Sequence, residues 1–470
     1  MPDFRLYNSL SRAIEPFAPA NGSTVSLYTC GPTVYNPAHL GNVRTFLFED
    51  LLRRVLHLRG WGVDQVMNLT DVDDKIIKRS SEQNTTIRAL TDPVVELFHT
   101  DRMFLRIQSA EHYPRATDYI PQMIALVERL ESRGIAYKAE DGSVYFAIGK
   151  FPGYGRLSRL DTRELKTGAR VSQDDYAKEN AQDFALWKAA KAEDEACAAA
   201  WDSPWGRGRP GWHLECSAMA MALLGETIDI HAGGVDLVFP HHEDEIAQSE
   251  AATGKPFARF WCHGEFLLTD GAKMAKRVGN VASVADLRAN GVSPAALRHF
   301  VFSTHYRKQL NLSGEALEAS TEAVRRVGDF ADRLAREQAG PTALAEAAET
   351  LVIEATNAFS DDLNAPRAMG ALFEFISAAN RSLDSRGSDV EALARAREAF
   401  RQVNAVLDIM PDRVIDDEAL ASWVEQQLAD RRGARERRDF SAADAIRKTL
   451  EEKGIAIEDS AAGTRWKKVH

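Results

Sequence analysis

Near its start the chain alternates short runs of β-branched residues with long amphipathic runs. Residues 23–30, "STVSLYTC", alternate in polarity and end at a Gly-Pro pair, which predicts a strand. Residues 39–59 carry leucine and valine at helical spacing until Gly60 ends the run, which predicts a helix. A second predicted strand, over residues 62–69, is followed by a predicted helix with Thr70 at its start. This order predicts an α/β fold with a Rossmann-like, doubly wound parallel sheet.

The pattern is interrupted and then returns. Residues 121–195 hold a short β segment, "SVYFAI", within a stretch rich in Lys, Glu and Asp, so we interpret them as an inserted subdomain. Within residues 196–252, "ECSAMAMALLG" predicts a helix, "TIDIHAGG" a strand, and "PHHEDEIAQSEAA" a helix with Pro240 in its first turn. Residues 311–410 have alanine, leucine and glutamate at helical periods, which predicts a helical bundle.

A chain of 470 residues is too long for one hydrophobic core, so we divide it into successive regions. They are two halves of a sheet domain (1–120 and 196–252), the inserted subdomain (121–195), a region with a lysine-rich loop (253–310), the helical bundle (311–410) and a small C-terminal domain (411–470). The last region ends in "GTRWKKVH", where a tryptophan lies among cations.

Composition narrows the class of protein. The hydrophobic content of 44% and the charged content of 27% are typical of a soluble globular protein. A net charge of −11 argues against indiscriminate nucleic-acid binding, although it leaves room for a local basic patch. The sequence has no apolar run long enough to cross a membrane and no secretory signal pattern at its N-terminus, so we expect no membrane partner and a cytoplasmic location.

The four cysteines are too few for a disulfide framework and are therefore candidate thiols, metal ligands or nucleophiles. Cys30 ends the first predicted strand, and open α/β sheets hold their ligands at the carboxyl ends of strands. Cys216 begins a predicted helix, whereas His241 and Glu245 are four residues apart and so share one helix face. Two thiolates, an imidazole and a carboxylate form a plausible zinc set. Their scatter along the chain leaves open that they are simply buried, satisfied side chains.

The other residues of these segments are interpreted as structural. Cys197 lies in an alanine-rich helix and Cys262 in an aromatic strand, where both are expected to pack. His242 is expected to face away from the pair formed by His241 and Glu245. A zinc deaminase is disfavoured because the P-C-x-x-C motif is missing, and a zinc peptidase because there is no H-E-x-x-H.

Two further segments combine to indicate phosphate chemistry. "PAHLGN" puts His39 and Gly41 at the start of a helix just after the first strand, where backbone N–H groups and the helix dipole attract phosphate. "KMAKR" puts Lys273 and Lys276 on a glycine-flanked loop. Lysines on such a loop can stabilise the charge that develops on a transferring phosphoryl group.

Together these segments resemble the HIGH and KMSKS signatures of class I aminoacyl-tRNA synthetases. More narrowly, the chain resembles the cysteinyl-tRNA synthetase family over essentially its whole length, through stretches such as "LYTCGPTVYNPAHLGNVRTF", "NLTDVDDKIIKR" and "DIHAGGVDLVFPHHEDEIAQSE". The resemblance implies a monomeric ligase that uses ATP with Mg²⁺ to join L-cysteine to tRNA(Cys) through a cysteinyl adenylate. It also implies one Zn²⁺ per chain that selects the substrate thiol, because zinc prefers thiolate ligands and serine is a weak ligand.

The resemblance assigns roles to individual residues. The zinc ligands are Cys30, Cys216, His241 and Glu245. The residues assigned to catalysis are His39, Lys273 and Lys276, and those assigned to ATP are His39, Gly41, Asn42 and Lys276. The residues expected to line the amino-acid and adenylate pocket are Thr70, Trp212 and His231. In the C-terminal domain, which is expected to recognise the anticodon, the residues assigned to tRNA are Arg435, Asp444, Asp459 and Trp466.

The chain departs from the family pattern in the lysine loop, where Ala275 and Arg277 replace the two serines of the signature. His242, Glu243 and Asp244 are expected to be solvated or to cap the helix. Two alternatives stay open: a ligase that joins cysteine to an amino-sugar, and a catalytically silent RNA-binding paralogue. The zinc site itself raises a question, because four protein ligands normally make a closed structural site. A bound substrate thiolate must therefore add a fifth ligand or displace one.

Overall fold

The structure, a computed structural model, describes residues 2–159, 183–269, 272–273, 283–385, 387–412, 418–437, 439–453, 455–460 and 463–468. The chain divides into two compact units, Met1–Pro411 and Asp412–His470. Within the described part of the chain, none of the helices combines the length and the apolar character needed to cross a membrane.

The described elements are numbered in chain order. The strands are β1 (Arg5–Asn8), β2 (Ala13–Pro16), β3 (Thr24–Thr29), β4 (Gly62–Met67), β5 (Ala136–Lys138), β6 (Val144–Phe146), β7 (Phe184–Ala189), β8 (Gly208–Pro210), β9 (Ile228–Gly234), β10 (Ala258–Gly264), β11 (Leu267–Thr269), β12 (Ala272–Lys273), β13 (Leu310–Leu312), β14 (Ile455–Ser460) and β15 (Gly463–Lys468). The helices are α1 (Leu40–Leu58), α2 (Asp74–Glu82), α3 (Ile87–Phe104), α4 (Ile120–Ser132), α5 (Ala192–Ala196), α6 (Trp212–Leu224), α7 (Glu243–Thr253), α8 (Val284–Ala289), α9 (Pro294–Phe302), α10 (Gly314–Arg336), α11 (Ala343–Ser360), α12 (Ala365–Leu383), α13 (Val390–Leu407), α14 (Glu418–Glu436) and α15 (Phe440–Glu452).

A four-stranded parallel sheet lies at the centre of the larger unit. Its order is β10-β9-β3-β4, so strands distant in sequence pair with the first two predicted ones. α1 packs on this sheet through a buried stripe that includes Leu47, Leu51 and Val55. The predicted α/β fold with a doubly wound parallel sheet is confirmed, and so are the strand before Cys30 and the helix that ends before Gly60.

Two helix starts differ from the sequence-based expectation. The N-cap of α2 is Asp73, whose carboxylate accepts a hydrogen bond from the backbone of Ile76 at 2.7 Å, whereas Thr70 lies in the preceding loop. Asp73 is favoured because a short carboxylate both satisfies an N–H and complements the helix dipole. A separate π-helical turn, Val238–His242, precedes α7, so Pro240 lies before that helix rather than in its first turn.

The remaining elements surround the sheet. A four-stranded antiparallel sheet has the order β5-β6-β7-β8; its first three strands come from the stretch that interrupts the parallel pattern, and β8 follows that stretch. The helices α10, α11, α12 and α13 form the predicted bundle, in which α11 packs against both α12 and α13. The five boundaries proposed inside Met1–Pro411 stay predictions.

The smaller unit, Asp412–His470, has a core of its own. α14 packs on α15, and β14 pairs with β15 as an antiparallel hairpin. Their buried apolar residues are Val424, Leu428, Leu450 and Ile455.

Candidate metal centre

Cys30 lies at the carboxyl edge of the parallel sheet, directly after β3. Its backbone N–H donates to the Ala232 carbonyl of β9 at 3.0 Å, so the neighbouring strand fixes its position. The next residue must be glycine, because a Cβ at Gly31 would lie 1.9 Å from the Asn68 carbonyl oxygen. Ligands of open α/β sheets bind at this edge.

Cys30 belongs to a buried cluster of possible metal ligands. One ligand atom from each of Cys30, His241, His242 and Glu245 lies within 4.8 Å of all the others. Three of the four predicted ligands are therefore in this group, and Cys216 adjoins it through contacts with Cys30 and His241. His242 was not predicted to be there. The adjacent histidines of "FPHHEDE" were the only sequence signal for it.

The pKa values of the two thiols, Cys30 and Cys216, are shifted in opposite directions. Burial raises the pKa of Cys30, and its hydrogen bond to Cys216 raises that pKa further. The same hydrogen bond, accepted by Cys216, outweighs burial and lowers the pKa of Cys216 to about 6. The lowered pKa of Cys216 favours its thiolate, which is the form that binds metals.

His241 and Glu245 form a charged pair beside the thiols. The His241 Nε2 and Glu245 Oε1 atoms are 2.9 Å apart, and both side chains are buried. Burial lowers the pKa of His241, but Glu245 and Cys216 outweigh burial and raise it to about 10. Burial raises the pKa of Glu245, but His231 and His241 outweigh it and lower the pKa to about 2.

This donor set fits a zinc ion. With Cys216, the cluster offers two sulfur atoms, the imidazoles of His241 and His242, and an ionised carboxylate, which are the atom types that zinc binds in proteins. Cys30 and His241 hold protons in the absence of a positive charge nearby, and both would release them to a divalent cation.

His231 supports Glu245 from behind. Its Nε2 is 2.8 Å from Glu245 Oε2, its side chain has no exposed surface, and its ring stacks on Trp261 with centroids 4.6 Å apart. The His231 ring also contacts the ring of His242, with centroids 4.5 Å apart, and its assignment to the substrate pocket stays a prediction. A hydrogen-bonded histidine of this kind orients a metal-binding carboxylate.

The expectation that His242, Glu243 and Asp244 are solvated or cap the helix through their side chains is wrong. His242, Glu243 and Asp244 are fully or almost fully buried rather than solvated. The ring of His242 approaches Cys30, with Nε2 3.3 Å from Sγ, while its Nδ1 lies 2.8 Å from His263 Nε2. The sequence pattern of α7 could not reveal this burial, because the covering atoms come from distant segments.

Glu243 and Asp244 bind a segment inside the predicted insertion. Glu243 accepts hydrogen bonds from the backbone N–H groups of Gly155, Leu157 and Ser158 at 2.8 to 3.0 Å. Asp244 accepts a hydrogen bond from the Tyr154 hydroxyl at 2.5 Å. α7 therefore presents Glu245 to the cluster and holds residues 154–158 with its first two carboxylates.

Trp212 lies at the open side of the cluster. Its ring stacks on His241 with centroids 4.4 Å apart, and 39% of its surface is exposed. Thr70 lies at the carboxyl end of β4, where its N–H donates to the Pro32 carbonyl and its own carbonyl accepts from Val34. The Thr70 hydroxyl accepts from Asn68 at 3.1 Å.

Comparison with known proteins identifies the family. Residues 16–322 match the family model described as "tRNA synthetases class I (C) catalytic domain", and residues 355–410 match the "DALR domain". A cysteine–tRNA ligase of Solibacter usitatus is 44% identical over 468 residues, which is 99% of each chain. One of Chlamydia caviae is 43% identical over 468 residues, covering 99% of this chain and 98% of the other. The chain belongs to the cysteine–tRNA ligase family. The resemblance inferred from the motifs is confirmed.

Solved structures agree with this fold assignment. A Mycobacterium tuberculosis methionyl-tRNA synthetase in complex with methionyl-adenylate has a TM-score of 0.60 at 16% identity, with 82% of this chain and 90% of the other covered. A putative arginyl-tRNA synthetase from Campylobacter jejuni has a TM-score of 0.56 at 14% identity, with 84% and 94% covered. At such low identity the likeness supports the fold alone.

The first signature segment of this cysteine–tRNA ligase family member caps α1. His39 is the N-cap, its Nδ1 accepts from the Asn42 N–H at 3.2 Å, and Asn42 Oδ1 accepts from the His39 N–H at 3.3 Å. A Cβ at Gly41 would lie 2.9 Å from the His39 ring, so glycine lets the ring fold over the helix start. His39 and Ser283 also form a β-bridge, which brings the chain just beyond the lysine loop to this helix start.

The lysine loop itself is only partly described. The backbone of Lys273 pairs with Leu268 of β11. Lys276 lies outside the described residues, together with Ala275 and Arg277.

The predicted tRNA-binding residues of the family member lie on different elements of the smaller unit. Arg435 is exposed on α14 and Asp444 is exposed on α15. The backbone of Asp459 in β14 pairs with Thr464. Trp466 is half-buried against the core of this unit, and its indole N–H donates to Glu425 at 2.9 Å.

Proposed function

We propose that the protein activates L-cysteine with ATP to form cysteinyl adenylate and then transfers the cysteinyl group to tRNA(Cys). Family membership over nearly the full length supports this activity. The single observation that carries the choice of cysteine is the convergence of two thiols, an imidazole and a carboxylate at the carboxyl edge of the sheet.

We propose that Cys30, Cys216, His241 and Glu245 hold one Zn²⁺. When bound, this ion supplies a Lewis-acidic centre that prefers a thiolate ligand to a hydroxyl group, so cysteine is favoured over serine. The protein would orient the ligands through its buried hydrogen bonds: His231 holds Glu245, and His242 lies against Cys30. Pocket shape alone separates near-isosteres poorly, which makes a metal-based choice useful here.

The phosphate-handling residues are proposed from their positions. His39, Gly41 and Asn42 form the start of α1, where N–H groups and the helix dipole favour the phosphates of ATP, which binds together with Mg²⁺. Lys273 and Lys276 are proposed to stabilise the charge that develops when the cysteine carboxylate attacks the α-phosphate of ATP. Trp212 is proposed to cover the bound amino acid, because its exposed ring lies over His241.

The smaller unit is proposed to read the anticodon. Arg435, Asp444 and Asp459 are proposed to bind base edges, and the free face of the Trp466 ring is proposed to stack on a base. We propose that the protein works as a monomer in the cytoplasm.

The direct test measures zinc content, cysteine-dependent ATP–pyrophosphate exchange and tRNA(Cys) charging in the wild-type chain, in Cys30→Ser and in Cys216→Ser. Both variants are expected to lose zinc and at least about 100-fold in exchange, because two thiolates dominate the donor set. Cys197→Ser is the matched control, since Cys197 is a buried core residue outside the metal cluster, with its Sγ 3.6 Å from the Ile77 carbonyl.

Three other outcomes would contradict this proposal, and two of them would favour a rival function. Retained zinc with unchanged selectivity for cysteine over serine in Cys30→Ser would contradict the proposed site. Exchange without tRNA charging would favour an amino-sugar acceptor. Intact zinc without exchange in the wild type would favour a silent RNA-binding paralogue.

A further inference from the structure

One face of α6 looks onto the metal centre. Trp212, Glu215 and Cys216 are spaced i, i+3 and i+4, so they share this face. Trp212 stacks on His241, and Cys216 contacts both Cys30 and His241. Glu215, between them in sequence, is the remaining charged residue of the face and has no part in the proposed zinc set.

Glu215 is buried and poorly satisfied. The residue is 1% exposed, its carboxylate oxygens have no hydrogen bond of good geometry among the described residues, and the Thr70 hydroxyl is the donor beside them. A buried carboxylate that lacks a donor carries a large desolvation penalty, so such groups are rare unless a ligand completes them. The group that it lacks is a cation or a strong donor.

The surroundings of Glu215 add to this deficit of positive charge. Its charged neighbours include Cys216, Asp71 and Asp73, and the Thr70 hydroxyl is the group beside it that favours its ionised form. The two aspartates are already satisfied: Asp71 accepts from Thr117, and Asp73 caps α2.

The arrangement matches the shape of the amino acid itself. In cysteine only two carbon atoms separate the sulfur from the ammonium nitrogen, so a sulfur held at the metal leaves the ammonium within a short side chain's reach. Glu215 is adjacent in sequence to Cys216, and Thr70 belongs to the same rim at the carboxyl ends of β3 and β4. Thiol and ammonium could thus be recognised from one turn of α6.

We propose that Glu215 is a specificity residue that receives the α-ammonium group of the substrate cysteine. This inference rests on the proposed function, since it assumes that cysteine is the substrate. It predicts that the protein rejects thiols that carry a carboxylate but no ammonium group. Charge-assisted hydrogen bonds of this kind change affinity by roughly 10- to 100-fold.

The test compares L-cysteine with 3-mercaptopropionate, which keeps the thiol and carboxylate but lacks the amino group. The KM for cysteine and the inhibition constant of 3-mercaptopropionate are measured by pyrophosphate exchange with the zinc-loaded full chain. In Glu215→Gln the KM for cysteine should rise about 10- to 100-fold while the inhibition constant stays within about threefold of wild type. Glu215→Asp, which keeps the charge on a shorter side chain and guards against misfolding of the amide variant, should give an intermediate ratio.

Asp101→Asn is the control, because Asp101 is a buried carboxylate on α3 whose charged neighbour is Arg288 rather than a residue of the metal centre. It should leave the ratio of the two constants at the wild-type value. An unchanged KM in Glu215→Gln, or an equal loss of both ligands, would overturn the proposal. Failure of the proposed function itself would be distinguishable, since the wild type would then show no cysteine-dependent exchange.

Discussion

The Nδ1 atoms of His213 and His241 face each other at 2.9 Å. The other ring nitrogen of His213, Nε2, lies 3.3 Å from Asp244 Oδ2. Burial and the neighbouring His241 lower the pKa of His213 well below its usual value, which favours the neutral ring. A neutral imidazole donates one hydrogen bond and accepts one. Asp244 therefore orients His213, and His213 orients the His241 ring. Outer hydrogen bonds of this kind tune a metal ligand.

Removal of this support should weaken metal binding without abolishing it. We predict that His213→Ala and Asp244→Asn each lower zinc affinity by about 10- to 100-fold, measured by competition with a chromogenic chelator. Tyr154→Phe, which removes only the hydroxyl that donates to Asp244, should have a smaller effect. His57→Ala is the control, because His57 is exposed near the end of α1. Equal zinc affinity in His213→Ala and the wild type would rule out a supporting role.

The loop that carries Cys30 should not tolerate a side chain at Gly31. In Gly31→Ala the new Cβ would meet the Asn68 backbone oxygen, so the loop must move and Cys30 with it. We predict loss of zinc and a fall of at least about 2 kcal/mol in the free energy of unfolding, measured by urea denaturation. Gly370→Ala in α12 is the matched control, because its Cβ would meet no atom within 4 Å. That variant should be neutral or slightly stabilised. Normal zinc content in Gly31→Ala would contradict the close approach.

Trp212 should affect substrate binding more than metal binding. Its ring is stacked on His241 but contributes no ligand atom, and its outer surface is exposed. We predict that Trp212→Ala raises the KM for cysteine about 10-fold or more while zinc content stays at one per chain, and that Trp212→Phe is milder. Zinc content is measured beside the kinetics of exchange. A loss of zinc that parallels the rise in KM would show that Trp212 acts on the metal instead.

His299 in α9 should contribute to the loss of folding stability at acidic pH. Burial, reinforced by the nearby Arg326, lowers the pKa of His299 from 6.5 to about 4. As the pH falls below 6.5 the unfolded chain takes up a proton that the folded chain refuses, so stability is lost until the pH reaches about 4. At pH 5 the loss from this residue is about 2 kcal/mol.

The check is the free energy of unfolding at pH 7.5 and pH 5.0 in the wild type and in His299→Gln. Glutamine does not titrate, so the variant should lose less stability on acidification than the wild type does. The same pH dependence in both proteins would mean that His299 is protonated equally in the folded and unfolded chains.

The sequence was informative where local chemistry decides structure. The alternation before Cys30 and the leucine spacing after His39 sufficed to predict β3 and α1, because period and end signals are local. The four-residue spacing of His241 and Glu245 correctly put these side chains together even though a π-helical turn precedes α7. The motifs indicated which distant cysteines belong with them.

The errors share a physical cause. Glu243 and Asp244 resembled helix-start carboxylates, but their partners come from residues 154–158, about ninety positions away. The contacts of His231 with Glu245 and Trp261 likewise come from segments that its own strand does not reveal. Tertiary contacts of this kind leave no periodic trace in the segment that makes them.

The most direct test of the central claim is zinc K-edge X-ray absorption on the zinc-loaded full chain, with and without amino acid. If Cys30 and Cys216 hold the ion and the substrate is chosen through its sulfur, the free protein should show two sulfur ligands at about 2.3 Å. L-Cysteine should raise that number to three, and L-serine should leave it at two. A sulfur count that L-cysteine does not change would contradict recognition of the substrate by the metal.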